Sequence, residues 1–136
     1  MKYLVKYLAI IVFSVFMLGC EGSKVEITNE KIKAYSFLDE MYRDNYFPNS
    51  LVDKGKEILL DLCLKIEATK PSSTKDVYNL THAATEQFNQ LALEFEEQGS
   101  EIETAARDNI GMDIDFILKT YGYDVDIEEA IAPRDW

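Results

Sequence analysis

Apolar residues along this chain first form an uncharged run and then recur every three to four positions. The run extends from Tyr7 to Leu18 and is preceded by Lys2 and Lys6. It is well short of the ~20 residues needed to cross a bilayer. Beyond residue 29, four segments carry apolar residues at helical spacing, and none shows the strict alternation of a half-buried strand. The first helix is expected from an N-cap at Thr28 or Asn29 to Phe47, because Pro48 disfavours helical geometry in the residue before it. Its stripe is Ala34, Tyr35, Leu38, Met41 and Tyr42, followed by the aromatic pair Tyr46 and Phe47. A second helix, capped by Ser50, runs from Leu51 to about Thr69 and stops at Pro71, with Leu51, Gly55, Ile58, Leu59, Leu62 and Ile66 on one face. Gly55 in that stripe costs up to ~1 kcal/mol against alanine, so close approach of a neighbouring helix is its expected use.

The third helix is capped at Ser73, with Asp76 in the capping-box position, and ends at Gly99. Val77, Leu80, Ala84, Phe88, Leu91 and Phe95 share its apolar face, while Tyr78, His82, Glu86, Asn89 and Leu93 form a mixed opposite face. In the fourth, Ser100 caps and Glu103 closes the box; Ala106, Ile110, Ile114, Ile117 and Tyr121 form the stripe, and Gly122 ends it. A short acidic helix from Asp126 to Ile131 stops before Pro133. Short connections make sequential helices pack side by side, which predicts an all-α fold: an antiparallel bundle of four main helices plus a short C-terminal helix. The lone indole, Trp136, is expected to fold back onto the bundle.

The first segment changes the picture of where this domain sits. A positive start, an apolar run and Met17-Leu18-Gly19 before Cys20 read as a secretory signal. The pattern resembles the bacterial lipoprotein signal, although Met17 stands where that signal favours leucine. The resemblance implies that Cys20 is lipidated and becomes the first mature residue. Since one chain holds only marginally, stable anchoring requires the multiple acylation it also implies. The chain then divides into a signal peptide at 1–19, a tether at 20–29 and one domain at 30–136. The expected location is the cell envelope, lipid-anchored to a membrane. Glu21 follows the cysteine, and the resemblance implies the outer membrane where an organism has two.

Charge narrows the partners. The 136 residues carry a formal charge of −11, and removing a segment that holds two lysines and no acid takes the remainder to −13. Such a surface repels nucleic acid, which needs a basic footprint, and suits a basic protein. With Cys20 acylated, Cys63 has no partner for a disulfide. At the edge of an apolar stripe it is expected to be a small buried hydrophobe.

His82, the single histidine, forms an i, i+4 pair with Glu86, a spacing that could bind a metal or share a proton. A zinc site needs at least three protein ligands, so distant carboxylates such as Asp113 or Asp115 would have to join it. Glu103, Arg107 and Asp113 lie on or beside the fourth stripe. Buried charges are rare unless paired, which predicts a Glu103–Arg107 or Arg107–Asp113 contact. Together with Asn89, these residues make the candidate polar cluster. No nucleophile elbow, P-loop or dinucleotide fingerprint is present in the sequence, and no cofactor is expected.

Met41-Tyr42, Tyr46-Phe47-Pro48, the run from Leu51 to Lys56, the run from Thr81 to Glu86, Phe88-Asn89, the run from Ser100 to Arg107 and the closing Arg134-Asp135-Trp136 resemble a family of small bacterial proteins known only as domain of unknown function 5713. The resemblance covers about Tyr35 to Trp136 and implies an all-helical unit without an activity to transfer. The functional expectation is a membrane-anchored protein-binding module, in a narrower form an immunity-type protein neutralising a basic toxin. The alternative is a small metal-dependent hydrolase built on His82 and Glu86.

Overall fold

The computed structural model describes residues 25–136, and every regular element among them is a helix. In order they are α1 (Glu30–Ala34), α2 (Asp39–Arg43), α3 (Asn49–Thr69), α4 (Thr74–Glu97), α5 (Thr104–Thr120) and α6 (Ile127–Ala130). The signal peptide, Cys20 and the first part of the tether lie outside the described residues. No helix among the described residues is long and apolar enough to cross a membrane.

The fold is all-α, as the periodicity predicts, with α3 and α4 forming its central antiparallel hairpin. Residues 70–73 join them, with Lys70 in the left-handed conformation (φ 46°) and Pro71 buried. On one side α2 fills the space between α3 and α5; on the other α6 touches both α4 and α5. The buried stripes of α3, α4 and α5 meet in one core that includes Leu59, Phe88, Phe95, Ile110 and Ile114. Cys63 sits in this core with no exposed surface, and burial pushes its thiol up to about 12. Gly55 has the close approach expected of it. A Cβ there would lie 2.9 Å from Leu38 Cδ1 and 3.2 Å from Phe88 Cε1.

The expected first helix is not continuous. It is broken into α1 and α2 by residues 35–38, and Leu38 takes a left-handed conformation (φ 56°). The reason is packing. On an unbroken helix Ile32, Phe37 and Leu38 would point in three directions about 100–140° apart, so one core-facing stripe could not hold them all. With the break, Ile32, Phe37, Leu38 and Met41 are all at most 2% exposed, whereas Ala34, assigned to the stripe, is exposed. Among the described residues the bundle therefore has three long helices, and two short ones occupy the place of the expected fourth.

The capping box at Ser100 does not form either. Gly99 is left-handed (φ 77°), its N–H donates to Glu96 O (3.0 Å), and the Ser100 N–H donates to Phe95 O (2.9 Å). That pair of bonds is the Schellman closure of α4. Ser100 is consumed in ending one helix and cannot begin the next. α5 accordingly starts at Thr104, after Glu103, without a side-chain cap. The end of α5 repeats the closure at Gly122, with Tyr123 N–H donating to Leu118 O (2.8 Å).

Candidate functional site

The mixed face of α4 is covered by the last ten residues. His82 Nε2 lies 2.7 Å from Glu129 O, and since a carbonyl only accepts, Nε2 carries the proton. The ring stacks on Tyr78 at 5.8 Å between centroids. Two turns further on, Asn89 donates to Pro133 O (3.0 Å) and to Glu86 Oε2 (3.2 Å), and its own oxygen accepts from Asp135 N–H (3.1 Å). From α5, Arg107 Nε donates to Trp136 O (3.1 Å). Trp136 packs edge-on against Phe88, as the expectation of a folded-back indole requires. His82, Glu86, Asn89 and Arg107 thus form a polar seam that straps the closing segment to α4 and α5.

Asp113 is placed elsewhere. It is 1% exposed on α5, and its two oxygens accept from Leu38 N–H (2.7 Å) and Tyr35 OH (2.8 Å). One turn earlier, Asn109 Oδ1 accepts from Met41 N–H (3.2 Å). Leu38 occupies the N-cap position of α2 and supplies no side-chain cap. α5 therefore satisfies the first donors of α2 from outside. Burial pushes the Asp113 carboxyl above its ordinary value, the two hydrogen bonds working against that rise, and the same environment pushes Tyr35 up to about 12. Tyr35 also stacks on Phe116 at 3.9 Å.

The Arg107 side chain pairs with neither the Asp113 nor the Glu103 carboxylate. Asp113 is occupied by backbone and phenol donors, and Arg107 is turned toward Trp136. Glu103 precedes α5 and lies beside Glu101, whose carboxyl it raises through a shared hydrogen bond and its charge. Glu86 bonds Asn89 and not His82, and Asp115 pairs with Lys119 (2.6 Å). Among the described residues no three of His, Cys, Asp or Glu gather where they could hold a metal.

Sequence reasoning missed a second clamp. Glu67, near the end of α3, accepts from Thr28 N–H (2.7 Å), Thr28 Oγ1 (2.6 Å) and Tyr121 OH (2.6 Å). Burial raises its carboxyl, but the bonds from Thr28 and Tyr121 outweigh that and leave it below the ordinary value. Its only signal in the sequence is a position next to the α3 stripe. The clamp fixes where the chain enters the domain: the end at which α3 and α5 finish. At the opposite end, a groove of about 370 Å³ lies between α4, the α4–α5 connection and Trp136. Leu93 and Tyr46, both large and exposed, belong to that end.

What this arrangement does chemically is hold segments in place. The titratable side chains singled out along α4 and α5 mostly engage backbone groups, and none of them pairs with a nucleophile. Residues 31–136 match a family of unknown function (DUF5713). No curated protein and no solved structure matches the chain.

Proposed function

From the premise that this chain belongs to the DUF5713 family, which brings no activity with it, we propose that it is a lipid-anchored module that binds another protein through its acidic surface. The observation that carries this reading is how its polar chemistry is spent. His82, Asn89, Arg107 and Asp113 are half-buried or buried and tied to main-chain atoms, while the surface left facing water carries carboxylates in excess over lysines and arginines, with Leu93, Met112 and Tyr46 exposed among them. Exposed apolar side chains on a surface of net negative charge suit recognition of a complementary protein, with the charge steering encounter and the apolar contacts supplying affinity.

The anchor at Cys20 belongs to the same reading and places the module in the cell envelope. Two measurements test it. Mass spectrometry of the mature N-terminus should find an acylated Cys20, and a Cys20→Ser chain should keep residues 1–19 and lose the lipid. A photo-crosslinking residue at position 93 of the full chain, expressed in cells, should give one reproducible protein adduct. An unmodified Cys20 removes the anchor from the proposal, and no adduct at position 93 or at position 112 removes the binding role.

A further inference from the structure

We propose that the groove beside Trp136 is the docking site for an arginine-bearing segment of a basic protein partner, an inference that rests on the protein-binding reading above. Ala92, Leu93, Ile102 and Trp136 supply its apolar lining, and Glu96 from α4 and Glu101 from the α4–α5 connection supply carboxylates from two separate elements. Leu93 is 53% exposed and offers its side chain at the groove.

Charge complementarity identifies the occupant. Between residues 93 and 103 the chain has five acids and neither lysine nor arginine. Glu101 and Glu103 lie close enough together to hold the Glu101 carboxyl above its ordinary value. An arginine fits this setting better than a lysine. Its planar guanidinium stacks on an indole and donates to two carboxylates at once, while its aliphatic stem lies along leucine.

A second observation points to the same end of the molecule. Among the described residues, two buried side-chain polar atoms have no hydrogen-bond partner: Trp136 Nε1, on a groove-lining residue, and Ser100 Oγ, on a residue 1% exposed and adjacent to groove-lining Glu101. Unsatisfied buried donors are rare and costly, and the indole N–H of Trp136 needs an acceptor, which the main-chain carbonyls of a docking segment carry and its arginine side chain does not. The position suits the role. Thr28 is clamped at the far end of the hairpin, and the run of α4 from its start to Leu93 spans about 30 Å. A domain tethered through Thr28 presents this groove away from the membrane.

Trp136 is the single tryptophan, so its fluorescence reports the groove directly. The full chain in a zwitterionic detergent should be titrated with hexa-arginine amide. A saturable change in Trp136 emission is expected, weakened about tenfold in a Glu96→Gln, Glu101→Gln chain. The same loss of charge at Glu57 and Asp61, on the outer face of α3, should change affinity by less than about twofold, and hexalysine should bind more weakly than hexa-arginine. No emission change, equal weakening in the two charge variants, or equal affinity for the two peptides overturns the groove assignment. The Glu96→Gln, Glu101→Gln chain should also lose the adduct formed from position 93. If the adduct persists in that variant, the groove is wrong and the binding role stands. If the unmutated chain gives no adduct from position 93 or 112, the binding role itself fails.

Discussion

Asp113 is the residue on which the N-terminal part of the fold turns. Truncation to alanine leaves the buried Leu38 N–H without an acceptor and removes the Tyr35 partner, so Asp113→Ala should lose about 3 kcal/mol of unfolding free energy in denaturant titration. Asp113→Asn retains one acceptor and should lose about half as much. The pH dependence has a definite sign. The folded-state value of Asp113 is raised, so its contribution to stability is complete below the unfolded value of about 3.9 and declines as pH rises through the folded value. The stability advantage of the native chain over Asp113→Asn should therefore be larger at pH 4 than at pH 7. Glu67 behaves in the opposite way. Its folded value is lowered, so its contribution is present above about 4.3 and lost as pH falls through the folded value. Acidification from pH 6 to pH 3 should cost the native chain more than a Glu67→Gln chain, as measured by thermal unfolding at each pH.

At the level of elements, the α3–α4 hairpin sets the frame and its two ends are built differently. Lys70 is an exposed non-glycine residue with φ 46° just past α3. Lys70→Gly should relieve the left-handed strain and raise stability by about 0.5–1 kcal/mol. Gly55 is the reverse case. Alanine there gains up to ~1 kcal/mol of helix propensity, but its methyl would meet Leu38 and Phe88, both fully enclosed. Overpacking costs about 1–3 kcal/mol, so Gly55→Ala should come out destabilised by roughly 1 kcal/mol. A Gly55→Ala chain as stable as the native one would mean that Leu38 has room to move.

Across the whole molecule, two separate clamps tie down the segments flanking the three long helices. Thr28 is held by Glu67, and the closing segment is held by His82, Asn89 and Arg107. Asn89 makes contacts with both Pro133 and Asp135, so Asn89→Ala should loosen residues 133–136 while leaving the hairpin intact. The expected signs are a red shift of Trp136 emission and faster tryptic cleavage after Arg134, with helical circular dichroism unchanged. Loss of helicity in that variant would show instead that the strap is part of the cooperative core.

Helical class, the limits of the three long helices to within a few residues, the close approach at Gly55 and the burial of Cys63 were all legible in the sequence. Each follows from spacing, capping and residue size within a single segment. The break at 35–38 was not legible, because local propensity favours one continuous helix there. Only the core decides that Ile32, Phe37 and Leu38 be buried together, and it is Asp113 and Asn109, about seventy positions away, that satisfy the backbone that the break exposes. The candidate polar residues divide for the same reason. Sequence places His82, Asn89, Arg107 and Asp113 on particular helix faces, but whether such a group meets a metal, another charge or a distant carbonyl depends on which segment folds over that face. Spacing along one helix carries information about that helix alone, whereas desolvation and pairing are settled by neighbours remote in the chain.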